Sequence, residues 1–525
     1  MYLIHMLGEI TGRSYDMMTA MGILMAGMVC CNPRLLGHCG FLLSFGSVCG
    51  IGCLYPALSL PASVIKKPAV PPPLLLRILL RRLGSVFQGL LASLSVSLFT
   101  LPIVLYFFYE IPLYSPFVNL LVLPFMGAVM VMGFVMMVFP GIPFVPQLEH
   151  IILSGYERVC LLFEKLPAHT LVVGCPQPWK IGVYYLGLLG IILLSSLKGR
   201  DNKNKWWLVG ILLLVLLLMV NLRREDSISF LAVGQGDCIV LMTKTGGTYL
   251  FDGGSSTEKN VGKDMIQPFF KYYGVNQLDG VFLSHSDKDH TSGIVQLLEE
   301  ELVEIKKIYL PDAEEEWRHD FAELLYLIPQ ARVGYQASGQ NAESNVSGEN
   351  AESNASGDNA ESNTSGDNAK CDLSGVAVEY YAAGDYLQEG ELRITCLYPA
   401  AGFSGDGNIY SGCFLIEKGG WRVLLTADVE GAGEQHLTQC LQERGIDKVQ
   451  VLKVAHHGSK YSTGQEFLDT VTASLAVISC GEENQYGHPH KETLERLTTA
   501  GIPFCITWES GCVTVTEEGY RFWGS

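Results

Sequence analysis

The 525 residues predict a polytopic α-helical membrane domain over residues 1–225, followed by a layered α/β domain over 226–525. Three observations carry this expectation. Apolar runs of membrane-spanning length crowd the first 222 residues. Charge splits at the same place, with 16 Lys and Arg against 8 Asp and Glu up to residue 225, and 20 against 45 beyond it. From residue 226 the pattern becomes short β runs separated by turns, with His and Asp collecting at the strand ends. The overall charged fraction of 17% is below the roughly 25% usual for soluble proteins because the first part dilutes it.

A spanning helix needs about 20 consecutive, mainly apolar residues. The clearest runs are 85–109, 116–139, 181–197 and 206–222, with weaker-edged spans expected at 17–31 and 40–60. Small residues in "GLLASLSVS" and "GILMAGM" allow close helix packing in lipid. Two intervening segments, 74–84 and 148–166, place charges among apolar residues at helical spacing. They read as interfacial amphipathic helices or as helices lining a polar cavity. No signal peptide is evident, and a first membrane helix can itself direct insertion.

Basic residues concentrate on the cytoplasmic side of membrane helices. Lys66, Lys67, Arg77, Arg81 and Arg82 mark one such loop, and Lys198, Arg200, Lys203 and Lys205 a second. With both inside, a span at 206–222 carries the polar part outside, provided the chain between 139 and 181 crosses once more or re-enters. Arg223 and Arg224 pull toward the opposite orientation.

Residues 341–367 are three nine-residue copies, "NAESNVSGE", "NAESNASGD" and "NAESNTSGD". They hold no aromatic residue and one larger aliphatic, Val346, too little apolar surface to offset chain entropy. We expect a disordered insertion at about 337–370. The 15 cysteines are scattered and never spaced C-x-x-C, which argues against a zinc ribbon or a disulfide framework.

The chemistry concentrates in three clusters. His285, Asp287, Asp289 and His290 close one strand in "SHSDKDH"; Asp428 closes "RVLLTAD"; His456 and His457 close "VLKVA". His488 and His490 lie in "NQYGHPH". Singly, each has a bland reading as turn, surface or satisfied core. Together, imidazoles and carboxylates at strand ends are the donor set for Zn2+ or Mn2+.

The segments "VGQGDCIVL", "FDGG", "SHSDKDHTSGI", "LLTADVE", "VLKVAHHGSKYST" and "NQYGHPHKETLERL" resemble the metallo-β-lactamase domain of the ComEC family. "GRSYDMMTAMG" and "NPRLLGHCGFLLSF" resemble that family's competence domain. The resemblance implies a metallo-β-lactamase-like αββα sandwich behind a membrane channel that takes up single-stranded transforming DNA, with other DNA-uptake proteins as partners. It implies two divalent ions, Mn2+ or Zn2+. His285 and Asp287 would hold one; Asp289, His290 and His456, preferred over His457 because it directly ends its strand, would hold the other; Asp428 would bridge. The superfamily's middle His is Asp287 here, and "GNIYSGC" stands about where a further ligand histidine is expected, so one ion is expected to be weakly held. Asp252 would orient a ligand histidine. His457, Ser459, His488 and His490 are candidates for contact with substrate or for proton transfer, His488 alternatively completing the weaker site. The family's extracellular N-terminal domain and first spanning helices have no counterpart in these 525 residues, so a fragment, a misplaced start or a shortened gene is expected.

Two ions about 3.5–4 Å apart would activate a water and clamp phosphate oxygens, giving phosphodiester hydrolysis. The acidic excess runs against DNA binding, which draws on phosphate neutralisation; the repeat accounts for six of the 45 acidic residues. Two alternatives therefore stand: a membrane-anchored hydrolase of a small ester or phosphoester, and a channel whose lactamase-like domain is an inactive binding module.

Overall fold

The computed structural model describes residues 6, 10, 16–59, 73–139, 144–197, 206–220, 225–312, 319–328, 375–402 and 407–523. It divides into two compact units, Met1–Leu222 with Lys271–Val275, and Arg223–Phe270 with Asn276–Ser525. The repeat at 341–367, its insertion at 337–370, and Lys66, Lys67, Lys198, Arg200, Lys203, Lys205, Arg223 and Arg224 lie outside the described residues.

The first unit is helical: α1 (Met17–Cys31), α2 (Cys39–Cys49), α3 (Leu74–Phe108), α4 (Ser115–Val138), α5 (Phe144–Glu164), α6 (Pro178–Leu197) and α7 (Trp206–Met219). Among the described residues, Cys39–Leu58, Arg77–Phe108, Ser115–Val138 and Pro178–Ser195 are long and apolar enough to cross a membrane. Two expectations change. The segment 74–84 is no separate helix but the first turns of α3: its Leu and Arg residues are good helix formers, and the single Gly84 does not stop the helix. The span at 206–222 is helical over 14 residues, Trp206–Met219, about 21 Å at 1.5 Å per residue against a hydrocarbon core of about 30 Å.

Pro102 lies inside α3 and cannot donate to the Leu98 carbonyl one turn back. The Tyr184 hydroxyl on α6 donates to that carbonyl at 2.7 Å, and the Tyr185 hydroxyl donates to the Phe99 carbonyl at 3.0 Å. A neighbouring helix thus re-satisfies backbone that proline has freed, as a proline in an apolar medium requires. A short antiparallel pair, β1 (Glu110–Pro112) and β2 (Thr170–Val172), joins the helix connections.

The second unit is an αββα sandwich. Its first sheet runs in spatial order β10 (Ala377–Tyr381), β9 (Lys307–Pro311), β7 (Gly280–Phe282), β5 (Thr248–Gly253), β4 (Cys238–Met242), β3 (Ser227–Phe230), β18 (Cys512–Thr516) and β19 (Gly519–Trp523). The second runs β11 (Tyr386–Glu389), β12 (Leu392–Tyr398), β13 (Cys413–Lys418), β14 (Trp421–Leu425), β15 (Lys448–Lys453), β16 (Thr472–Ile478) and β17 (Phe504–Ile506). A minor parallel pair is β6 (Gln277–Leu278) with β8 (Glu304–Ile305).

Alternate residues of the strands face different cores, as period-2 geometry requires. Phe414 and Ile416 of β13 and Val423 and Leu425 of β14 pack between the sheets with Phe230, Ile239 and Phe251. Their neighbours Leu415 and Leu424 face the other way, against Leu437, Leu441 and Leu497. These belong to helices α9 (Ala432–Glu443) and α10 (Lys491–Thr499); α8 (Lys288–Glu299) packs on β5 of the other sheet. Phe282 anchors the inter-sheet core, stacked on Tyr309 at 4.3 Å and on Phe251 at 4.9 Å between ring centroids. In each sheet one run of strands is parallel, β5–β7–β9–β10 and β14–β15–β16–β17. Their C-terminal ends carry the polar residues singled out above.

Candidate metal centre

Asp252 leaves β5, the segment 284–290 follows β7, Asp428 follows β14, and His456 and His457 follow β15. These strand ends converge. Two glycines make the approach possible. A Cβ on Gly254 would stand 2.5 Å from the backbone of Asp289 and His290, and one on Gly236 would stand 2.5 Å from the Asp289 carbonyl. Four residues without glycine's freedom hold left-handed backbone here: Asp252 (φ 53°), Ala427 (φ 42°), His456 (φ 46°) and His457 (φ 53°). Such conformations cost about 1–3 kcal/mol each and gather where side chains must be aimed.

The tightest cluster is Asp289, His290, Asp428 and His457, one ligand atom from each lying within 4.8 Å of all the others. Asp428 Oδ2 is 3.4 Å from His290 Nε2 and 3.4 Å from His457 Nε2, and Asp289 Oδ2 is 3.5 Å from His457 Nε2. The far side of each ring is engaged. His290 Nδ1 donates to Asp252 Oδ2 at 2.9 Å, and His457 Nδ1 donates to the Ser479 carbonyl at 2.8 Å. Asp252 also accepts from the Ser284 amide at 2.8 Å and hydroxyl at 2.7 Å. Both Nε2 atoms therefore face inward, where displacement of their proton by an arriving cation leaves the tautomer a metal ligand needs.

The electrostatics agree. Burial depresses His457, yet Asp428 and then Asp237 outweigh it and push the imidazole up to about 9. Burial likewise opposes charge on His290, but Asp428 and Asp252 hold it well above the ordinary histidine value. Burial raises Asp289, and the neighbouring imidazoles of His457 and His290 outweigh it and bring the carboxyl to about 2. The pocket selects positive charge. His285 Nε2, His290 Nε2 and His457 Nε2 are buried without a hydrogen-bond partner among the described residues, which suits divalent cations: such nitrogens are costly unless bonded.

The remaining expected residues take several positions. The His285 ring lies 4.1 Å from that of His290, with Nδ1 near the hydroxyls of Ser284 (2.9 Å) and Ser411 (3.3 Å). Ser411 belongs to "GNIYSGC", so a hydroxyl stands beside His285 where a further histidine was expected. Asp287 caps α8 and is 60% exposed, its Oδ2 3.7 Å from His285 Nε2. His456 differs from the expectation. Two successive left-handed residues turn the chain so that His457 enters the buried cluster. His456 stays at the rim, its Nδ1 donating to Glu430 Oε2 at 2.9 Å and its Nε2 3.8 Å from Asp428. His488 packs near His456 and His457 with ring centroids at 5.4 and 6.3 Å. Burial, then the charges of His457, His456 and His490, bring His488 down to about 4. His490 accepts from the Lys460 amide at 3.2 Å. Ser459 is buried in its own loop, its hydroxyl accepting from the Tyr461 amide and its carbonyl from Thr493.

Three participants were not foreseen. Asp237, in the quoted "VGQGD", is fully buried and ion-paired with Lys453. Lys453 is fully buried too; a lysine closing the apolar strand "VQVLK" was the available signal. Glu430, two residues after Asp428, orients His456.

Comparison with known proteins follows the two units. Residues 1–198 match the competence protein family, and residues 231–482 match the metallo-beta-lactamase superfamily. ComE operon protein 3 of Bacillus subtilis (strain 168) is 26% identical over 452 residues, 82% of this chain and 52% of that protein. Recombination protein 2 of Haemophilus influenzae is 29% identical over 293 residues, 55% of this chain and 29% of that protein. The chain thus spans about half or less of the length of these curated relatives. Among solved structures, the metallo-beta-lactamase fold protein YhfI from Bacillus subtilis aligns with 54% of this chain and 96% of its own, at 15% identity and a TM-score of 0.31.

Proposed function

Because the chain belongs to the ComEC family of competence proteins, we propose that residues 226–525 form a two-ion phosphodiesterase. It cuts transforming DNA outside the cell while the helical unit contributes to a channel for one strand. The observation that carries this reading is the buried cluster of Asp289, His290, Asp428 and His457, whose inward Nε2 atoms have no other use. In this reading Asp289, His290 and His457 hold one Mn2+ or Zn2+ ion, His285 and Asp287 the other, and Asp428 serves both. The ions would lower the pKa of a bound water and offset phosphate charge.

The chain's own residues do the rest. Asp252 and the Ser479 carbonyl fix the tautomers of His290 and His457. Neutral His488 takes the Gln235 amide on Nδ1, so its Nε2–H is free to donate to a phosphate oxygen. His456, aimed by Glu430, stands at the rim to hand a proton to the leaving oxygen.

The test is cleavage of end-labelled single-stranded DNA by the full chain in detergent with Mn2+. Turnover of a small aryl phosphodiester without cleavage of DNA would replace this reading with the small-phosphoester hydrolase, which the 45 acidic against 20 basic residues of this half favour. For orientation, a cysteine placed at Ser356 should react with a membrane-impermeant thiol reagent in intact cells. Labelling that requires permeabilisation would put the domain inside.

A further inference from the structure

Lys453 is the last residue of β15, a strand paired on both sides. Its side chain has no route to solvent and is fully buried. The ammonium donates to the Ala427 carbonyl at 3.0 Å, pairs with Asp237, and lies 3.6 Å from Asp428 Oδ1. A lone buried ammonium costs several kcal/mol, and Asp237 offsets it. Asp237 has no closer engagement with the imidazoles: it stands 3.8 Å from His457 Nδ1 and 3.9 Å from His290 Nδ1, and both nitrogens are already bonded to Ser479 and Asp252.

Asp428 is therefore approached from two sides. Oδ2 faces the Nε2 atoms of His290, His457 and His456 at 3.4, 3.4 and 3.8 Å. Among the described residues Oδ1 has no hydrogen-bond partner, and the Lys453 ammonium lies 3.6 Å from it. Resting on the metal-centre reading, we infer that Lys453 is a positioning residue: it holds Oδ1 of Asp428 back, so that Asp428 offers the metals one oxygen, and Asp237 anchors the ammonium that does so. The centre carries six nearby carboxylates, Asp237, Asp252, Asp287, Asp289, Asp428 and, at the rim, Glu430, and Lys453 gives it one permanent internal cation.

The test compares two variants of the full chain loaded with Co2+, whose visible d–d absorption weakens as coordination number rises. Asp237→Asn removes the anchor and keeps the ammonium on Asp428. Asp237→Asn/Lys453→Met removes both charges together, an exchange that buried ion pairs tolerate. The single variant should keep most of the wild-type intensity, because the Ala427 carbonyl still holds the ammonium. The double variant should fold and lose d–d intensity as Asp428 turns both oxygens inward. A double variant with the wild-type spectrum, whatever its melting temperature, overturns the inference; so does a spectral change already complete in Asp237→Asn. A metal-loaded crystal structure of the wild type with both Asp428 oxygens on metal would overturn it independently of any variant. Absence of Co2+ binding by the wild-type chain removes the metal-centre reading and this inference with it.

Discussion

In the helical unit, the Leu98 carbonyl deprived of an amide by Pro102 receives the Tyr184 hydroxyl. In the sandwich, the Nε2 atoms of His285, His290 and His457 are buried and receive no such bond among the described residues. Both regions bury polar atoms, but they treat them oppositely. Where the fold only has to persist, a neighbouring side chain completes the unpaired group. Where polar atoms are left aimed at one another, the fold has built a place for something the chain does not supply. The outer edges of the same imidazoles are carefully bonded, to Asp252 and Ser479. The unpaired atoms are thus a selected set and not a packing defect.

The sharpest way to break this contrast is to exchange the two adjacent histidines. His457→Ala should abolish metal-dependent hydrolysis by more than about a hundredfold and reduce bound metal. His456→Ala should retain metal and lose turnover alone, as checked by metal analysis beside kinetics. Equal metal loss from both would show that the rim and the cluster are one site. Next in size, Phe282→Ala should cost the sandwich about 3–5 kcal/mol, since it removes a ring stacked on both Tyr309 and Phe251. Denaturant unfolding of the metal-stripped chain measures it.

A smaller effect is confined to acid. His488 sits at about 4 in the fold against about 6.5 when exposed. The unfolded chain therefore takes up a proton first as pH falls. The contribution of His488 is fully present above about 6.5 and is lost as pH drops toward 4. His488→Gln in metal-stripped protein should remove that part of the slope of stability against pH, and an unchanged slope would assign it elsewhere. In the helical unit, Tyr184→Phe should destabilise by about 1 kcal/mol, leaving the Leu98 carbonyl without its donor. A larger loss would show that the hydroxyl matters more than its single bond. Deleting 341–367 should change neither melting temperature nor metal content, because the three copies offer almost nothing to pack.

Much of this was legible before any coordinates. Long apolar runs announce helices because no other backbone arrangement satisfies itself in lipid. The clusters at 285–290, Asp428 and 456–457 stand out because strand ends are where parallel sheets expose side chains together. The merger of 74–84 into α3 was hidden, since charges on an apolar helix look alike whether the helix stops or continues. The choice between His456 and His457 was hidden for a different reason. Which of two consecutive residues turns inward is set by how the backbone leaves the strand, and both residues adopt φ near 50° here.

By itself, the order of residues determined two unlike units and the His and Asp residues that gather at the strand ends of the second. These are properties of local composition and spacing, which need no knowledge of what folds against what. The tertiary structure alone decided that His457 faces Asp289 and Asp428, that Ser411 stands beside His285, and that Asp237 meets Lys453 from 216 residues away. A buried charge is tolerable only beside its counter-charge, and which two charges meet depends on how the strands of two sheets are ordered.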